Sequence, residues 1–549
     1  MTKFLVVLMA AAVFLSVGVC ASAAEITDGP QATISAAAGE QEALNDGRDK
    51  AIKFYQANRT LNSYWAVWAA YAARNGRLSG YTYSMEYDNP DHNGAKILAI
   101  LAMGGDPYHY NGVNYVAKAK ASGPDAPYAV PVFNFAGLKA AGAAMTAEEE
   151  QAYIDACCKN ISNLDLGPDI GGWAIMVLAP YLDDPRYGTQ IRGAIDGFLE
   201  KIKNGNYNPG MGASSSATLS YGCVVTALTG LQYAEGKGYD PSSDEPWVNF
   251  GLLDKVHTGL VKGEAYVNAS VFDHQYYLEF CDLYNVLSGG TPVWLDLTVR
   301  SSDFTAATAQ AEAILADAGR YTDIGVKHLK TAYEAAQKVS ESDLSAAEPQ
   351  WGETYFNLRY ALENCKEKGD VSVFTDLNQG KWYDAAAGRI VEQGIMNGVS
   401  PTTFDPEGKL TRAMVVRILW NMEGQPITDT ANPFKDVEAG RWYYGAVLWA
   451  VENGITNGKS PTAFDPTANV TRQEMAAFLY RYTQYANIDL PKKTSAVFAD
   501  ASSISGWAKA PVDALVSAGI INGMNGRFVP ADTATRAQMT KIIYELISL

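Results

Sequence analysis

Phe374-Thr375-Asp376, Trp382-Tyr383, Gly394-Ile395-Met396-Asn397-Gly398 and Thr411-Arg412 form a phrase that the chain repeats three times near its C-terminus. The second copy reads Phe434-Lys435-Asp436, Trp442-Tyr443, Gly454-Ile455-Thr456-Asn457-Gly458 and Thr471-Arg472. The third reads Phe498-Ala499-Asp500, Trp507-Ala508, Gly519-Ile520-Ile521-Asn522-Gly523 and Thr535-Arg536. The tryptophans are 60 and 65 residues apart. A period this long, kept in register by several residue types, marks a repeated structural unit rather than low complexity.

Each unit reads as helix, loop, helix. Trp382, Ala386, Ile390 and Ile395 recur at helical spacing, and Gly394 stands where a C-terminal capping glycine belongs. Asn397-Gly398 and Phe404-Asp405-Pro406 supply turn chemistry. Thr411 then opens a second helix containing Met414, Val415, Ile418 and Leu419, its hydroxyl suited to accept from an orphan backbone N–H. Glu474 and Gln538, three residues after Thr471 and Thr535, complete capping boxes, whereas Met414 breaks the box in the first copy. Capping does not explain Arg412, Arg472 and Arg536, because a cation in a first helical turn opposes the macrodipole by about a few tenths of a kcal/mol. Two readings stand. Each arginine bonds the loop of its own repeat, or it joins helix N–H groups in gripping a carboxylate or phosphate.

These elements, in this order from about Val373 to Leu549, resemble S-layer homology repeats. The resemblance implies a three-repeat helical module at 373–425, 433–486 and 497–549 that binds secondary cell-wall polysaccharide on Gram-positive-type bacteria. It further implies acidic, often pyruvylated, sugars held between repeats by Arg412, Arg472 and Arg536, with Trp382, Trp442 and Trp507 and the loop glycines Gly398, Gly458 and Gly523. Met414 stands where that pattern has an acidic residue and Ala508 where it has a second aromatic, so equal grooves are not expected.

A chain of 549 residues is too long for one ordinary core. Lys3, the apolar run Phe4 to Val19 and Ala21-Ser22-Ala23-Ala24 read as a signal peptide over residues 1–24, with cleavage after Ala23 or Ala24. No later stretch is long and apolar enough to span a bilayer, so no membrane attachment is expected after cleavage. The formal charge of −17 argues against nucleic acid or an anionic membrane as partner. Cys157, Cys158, Cys223, Cys281 and Cys365 remain after Cys20 is removed, an odd set without disulfide-scaffold spacing.

Residues 45–297 carry short, alanine- and aromatic-rich helical segments stopped by glycine or proline: around Tyr64–Ala73, Ala95–Leu101, Trp173–Leu178, Tyr221–Leu228 and Phe280–Leu287. Gly172–Tyr181 and Ser220–Leu231 resemble the α/α-toroid repeats of the prenyltransferase and terpenoid-cyclase superfamily, most of all its non-enzymatic members. The expected fold class is therefore all-α: a toroid-like domain, a small helical-bundle spacer at 301–368, and the three repeats. The spacer is expected to act as a stalk.

Enzyme chemistry finds little support. There is no Asp-x-Asp-Asp, Asp165 and Asp169 have the wrong spacing, and Cys223 with His274 lacks the third ligand of a catalytic zinc. Glu86, Asp88, Asp91 and His92, or Asp183-Asp184, are candidate carboxylate clusters for glycan cleavage, yet both sit in ordinary turn sequences. Tyr81, Tyr83, Tyr87, Tyr108 and Tyr110 either stack on a ligand or pack between helices. No catalytic residue, metal or cofactor is expected. The expected protein is exported, wall-anchored and more binding module than enzyme; the alternative is a wall-tethered glycan hydrolase or lyase. The ligand of 45–297 is unknown.

Overall fold

A computed structural model describes residues 48–204 and 292–549, apart from 50, 75, 77, 164–167, 347–348, 378–379, 427, 429 and 494–496, together with Leu278, Cys281, Asp282 and Asn285. The signal peptide, Ser220–Leu231, Cys223 and His274 lie outside the described residues. Within them the protein is helical apart from a two-residue parallel pair, Thr60–Leu61 with Thr82–Tyr83.

The N-terminal helices are α1 (Tyr64–Arg74), α2 (Asn93–Ala102), α3 (Tyr115–Ser122), α4 (Val130–Ala140), α5 (Ala147–Ser162), α6 (Pro168–Leu178) and α7 (Gly188–Lys203). Alanine and glycine let them approach closely. Gly94 of α2 lies against α4 so tightly that a Cβ there would stand 2.0 Å from the Phe133 carbonyl oxygen. The fully buried Asn134 fills the polar need of that contact, accepting from Gly94 N–H and donating to the Ala119 carbonyl. Large rings occupy the space the small residues leave. Trp65, Trp68, Phe133, Trp173 and Trp294 are all buried, with Trp68 and Trp294 centroids 5.1 Å apart and Trp65 and Trp173 5.3 Å apart. Three of the five loop tyrosines, Tyr81, Tyr83 and Tyr108, are packed inside, while Tyr87 is exposed.

The spacer helices α8 (Ser301–Ala316), α9 (Asp323–Ala336) and α10 (Gly352–Asn364) form where amphipathic spacing places them, and Thr322 caps α9 by accepting from Gly325 N–H. They are not a free stalk. Phe304, Leu329, Trp351, Phe356 and Leu358 belong to the same hydrophobic core as the N-terminal helices, which cover the spacer's apolar face.

The C-terminal repeats make a second core from α11 (Asp384–Glu392), α12 (Arg412–Met422), α13 (Tyr444–Glu452), α14 (Arg472–Tyr485), α15 (Lys509–Ser517) and α16 (Arg536–Ile547). The two helices of one repeat do not pair with each other. Helix α11 packs on α16, α12 on α13, and α14 on α15, so every helix pair joins two repeats. The pseudo-threefold axis is a closed ring of backbone hydrogen bonds. Leu410 N–H donates to Ala534 (3.0 Å), Ala534 N–H to Val470 (3.0 Å), and Val470 N–H back to Leu410 (2.9 Å).

Substituting Gly94→Ala is expected to destabilise the chain by about 1–3 kcal/mol, since the methyl meets backbone rather than a movable side chain. The fall in thermal midpoint of the N-terminal core checks this.

Candidate functional site

The repeated phrase builds each seam between repeats through a chain of local interactions. The aspartate of Phe-x-Asp comes first. Asp376 accepts from Phe404 N–H (2.8 Å) and Asp405 N–H (2.7 Å), Asp436 from Phe464 and Asp465, and Asp500 from Phe528 and Val529. These bonds hold the next residue in a left-handed conformation: Asp405 at φ +59°, Asp465 at +60° and Val529 at +57°. The loop glycine lets the phenylalanine of the same phrase pack down. A Cβ on Gly398, Gly458 or Gly523 would lie 2.3–2.5 Å from the ring of Phe374, Phe434 or Phe498.

So fixed, the loop offers its phenylalanine carbonyl to the arginine of a different repeat. Arg412 Nε donates to Phe464 O (2.8 Å), Arg472 Nε to Phe528 O (2.9 Å), and Arg536 Nε to Phe404 O (2.8 Å). Each guanidinium also lies over the ring of that phenylalanine, 4.7–5.2 Å from its centroid, a cation–π contact. The reading in which each arginine bonds its own repeat's loop is therefore corrected: the clasp runs from first repeat to second, second to third, and third to first. This also removes the conflict with the helix dipole, because the side chain leaves its own helix end for a neighbouring carbonyl. Helix N–H groups are spent as well. Arg412 N–H and Ala413 N–H donate to Ala468 and Pro466, and the other two copies repeat the pattern.

The arginines are 4%, 3% and 6% exposed in chain order. Burial lowers the proton affinity of all three, opposed by nearby carboxylates: Glu474, Asp465 and Asp436 for Arg412, Asp532 and Asp500 for Arg472, Asp405 and Asp376 for Arg536. Their tips differ. Arg472 gives Nη1 to Gln538 Oε1 (3.3 Å) and Nη2 to the Asn522 carbonyl (3.0 Å); Arg536 gives Nη2 to the Asn397 carbonyl (2.6 Å). Arg412 Nη1 faces Glu474 Oε1 at 3.6 Å, and Lys459 reaches the same oxygen at 2.5 Å. Asn397 and Asn522 are exposed, so the guanidinium tips of Arg472 and Arg536 end beneath surface loops beside Gly523 and Gly398.

The threonine caps form as their spacing implies. Thr411, Thr471 and Thr535 accept from Met414, Glu474 and Gln538 N–H, with full boxes in the second and third copies and none in the first. The tryptophans stand apart from the arginines. Trp382, Trp442 and Trp507 precede the first helix of each repeat and are 60%, 53% and 56% exposed, so none is core. Trp442 accepts at its carbonyl from Arg417, five residues beyond Arg412 on α12, and borders a cleft of about 350 Å³. His109, Asn111, Tyr360, Trp420 and Tyr444 share that cleft, bringing N-terminal loop, spacer and repeats together. Sequence spacing carries no sign of this meeting.

The acidic clusters considered for catalysis are structural or solvated. Asp88 accepts from Tyr64 N–H (2.7 Å) at the start of α1 and from the Tyr83 hydroxyl, and burial raises its pKa. His92 meets the Tyr64 hydroxyl at 2.9 Å, while Glu86 and Asp91 are exposed. Asp184 is bound to Arg186 and Asp183 to Arg192. Cys157, Cys158, Cys281 and Cys365 are buried free thiols. Among the described residues no group of three or more metal-ligating side chains occurs, and no helix is long and apolar enough to cross a membrane.

Residues 373–413, 433–476 and 497–540 match the S-layer homology domain family. The chain is similar to an endoglucanase of Bacillus sp. (strain KSM-635), 32% identical over 188 residues covering 33% of this chain and 19% of that protein. An amylopullulanase of Thermoanaerobacterium thermosulfurigenes is 31% identical over 214 residues, covering 37% and 11%. A surface-layer 125 kDa protein of Lysinibacillus sphaericus is 35% identical over 150 residues, covering 27% and 12%. The chain thus spans a fifth or less of the length of these relatives.

Two outcomes are expected. Val529 is β-branched in a left-handed conformation that costs about 1–2 kcal/mol, so Val529→Asn should raise the urea midpoint of the repeats. Burial alone would raise Asp376 and Asp500, but their paired backbone N–H bonds, helped by Arg536 and Arg527 respectively, hold both below the usual carboxylate range. Such groups bind protons less readily folded than unfolded. Their contribution is complete above about pH 4, the unfolded value, and is lost as pH falls through the lowered folded values. Urea titrations at pH 7 and pH 3 should show this loss, reduced in Asp376→Asn.

Proposed function

We propose that the three S-layer homology domains hold this chain non-covalently on the wall of a Gram-positive-type bacterium by binding an acidic, pyruvylated secondary cell-wall polysaccharide. The single observation that carries the reading is the threefold set of arginine seams, two of which end a guanidinium tip beneath a glycine loop. Exposed tryptophans lie on the same module and offer stacking faces for sugar rings. Net charge supports a local mechanism. At −17 the whole protein repels an anionic glycan, so attraction must come from guanidinium groups set in partly desolvated seams, where a charge acts more strongly than in water.

The N-terminal region 45–297 is, in this reading, a displayed α/α-toroid-like binding domain exported by the signal peptide over residues 1–24. Packing the spacer into its core and docking both on the repeats makes the display rigid. Tyr360 donates to the Gln425 carbonyl (2.5 Å), and Arg389 pairs with Asp323 (2.8 Å). The glycan-cleaving alternative gains nothing from the clusters considered for it: Asp88 holds the start of α1, Glu86 and Asp91 face solvent, and Asp183 and Asp184 pair with arginine.

Purified mature protein should pellet with isolated cell-wall sacculi and be released when their polysaccharide or its pyruvyl groups are removed. Replacing Trp382, Trp442 and Trp507 together with alanine should weaken pelleting at least tenfold without lowering the thermal midpoint, because all three are exposed. Pelleting that survives pyruvyl removal contradicts the reading.

A further inference from the structure

We propose that the spacer and the N-terminal helices together form a binding site for a small polar molecule bearing an oxyanion, carboxylate or phosphate, with Arg300 and Arg359 as its cationic contacts. This rests on the reading of 45–297 as a displayed binding domain. It adds the chemistry of the ligand and makes the spacer part of the site.

A cavity of about 500 Å³ opens where α1, the turn after α2, the start of α8 and the middle of α10 meet. Tyr71, Gly104, Asp296, Arg300, Ser302 and Arg359 supply its polar lining. Its volume lies in the range of small-molecule sites and exceeds what a bare ion fills. Every lining residue precedes the repeats, so the cavity is separate from the arginine seams. Tyr71 and Gly104 belong to the N-terminal helices and their turns, whereas Arg359 belongs to the spacer. Neither part encloses the cavity alone.

Hydrogen-bond accounting fixes the sign of the ligand. The carboxylates are spent. Asp296 accepts from the Tyr71 hydroxyl on one oxygen (2.6 Å) and from Arg300 Nη2 on the other (2.8 Å). Asp303, also on the wall, is likewise engaged. The guanidinium donors are not spent. Arg359 gives only Nη2, to the Gly104 carbonyl (3.1 Å) and Glu363 (3.4 Å), and Arg300 gives only Nη2 to Asp296. Nε and Nη1 of both arginines have no acceptor among the described residues, and neither does the Ser302 hydroxyl.

Both cations are held in place while these donors stay open. The Arg359 guanidinium lies 5.7 Å and 5.6 Å from the ring centroids of Tyr355 and Phe356, and the Asp296 that orients Arg300 is itself fixed by Tyr71. Their side chains are 23% and 59% exposed, which puts Arg359 at the deeper end of the cavity and Arg300 at its mouth. A guanidinium anchored through one nitrogen is pre-organised to give the others to an oxyanion in charge-assisted hydrogen bonds. Partial desolvation strengthens that attraction. The formal charge of −17 repels anions at long range, so capture depends on these contacts rather than on steering.

Calorimetric titration of the full mature chain with glucuronic acid, glucose 6-phosphate and glucose, in separate experiments, tests the site. At least one of the two acids should bind with one-to-one stoichiometry, and the one that binds more tightly identifies carboxylate or phosphate as the source of the oxyanion. Glucose should not bind. Arg300→Gln and Arg359→Gln should each weaken binding by about tenfold, the usual effect of losing a charged hydrogen bond. Arg359→Gln also loses its tie to Gly104, so Arg300→Gln and the cavity-filling Ser302→Phe, both at exposed positions, keep the test independent of folding. Both should retain the wild-type thermal midpoint and pellet with sacculi like the wild type, which separates this site from the anchor. Failure of both acids to bind, equal binding of glucose, or undiminished affinity in Arg300→Gln and Ser302→Phe overturns the proposal. Turnover of a bound acid would leave the site standing and contradict only the binding-domain reading.

Discussion

Everything in the C-terminal module depends on one closed constraint: three backbone hydrogen bonds running Leu410 to Ala534 to Val470 and back to Leu410, flanked by three arginine clasps running the opposite way around the same axis. A ring has no free end. Each repeat supplies one arginine and receives another, and each helix pair spans two repeats. No repeat can therefore complete its own packing, and the module is expected to fold as one unit. The buried guanidinium groups make that closure demanding. Desolvating a charge costs several kcal/mol, recovered here only where the neighbour's carbonyl, ring and carboxylates are all in position.

The clasp explains why the repeated phrase needs so many residue types. Aspartate fixes the loop through two N–H groups, and glycine lets the phenylalanine ring descend. Phenylalanine provides both carbonyl and ring to the incoming arginine, and threonine starts the helix that launches the next one. Losing any of these weakens a contact in a different repeat from the residue itself. The same loops face solvent at Asn397 and Asn522, so the device that closes the ring also brings the tips of Arg536 and Arg472 up beneath the surface.

Much of this was legible in the sequence. The period, caps and broken box at Met414 follow from local rules, and the structure has them where those rules place them; the first helix is shorter than its apolar spacing implies, Asp384–Glu392, and excludes Trp382 and Ile395. The destination of the arginines was not legible, because Phe404 and Arg536 are 132 residues apart and meet only through ring closure. Tryptophan posed the opposite difficulty: its helical spacing suits a core, yet Trp382, Trp442 and Trp507 lie just outside the helices they precede and face solvent. In the N-terminal region breaker-bounded runs of small and aromatic residues mark α1, α2 and α6, whereas α3, α4, α5 and α7 emerge only in the structure. Thr146-Ala147-Glu148-Glu149 is a formed capping box and a sufficient signal for α5. The spacer helices were visible as periodicity, while their burial in the N-terminal core was not, since amphipathic spacing states that a face is covered and not by what.

The measurement that bears most directly on the closed ring is amide hydrogen exchange at Phe404, Phe464 and Phe528 in the full chain carrying Arg472→Lys. That substitution shortens one clasp, between the second and third repeats, and leaves the other two sequences intact. If the ring is one cooperative unit, protection should fall at all three amides by a similar factor. Loss confined to Phe528, with Phe404 and Phe464 protected as in the wild type, would show three independent seams and contradict the constraint on which the module's architecture rests.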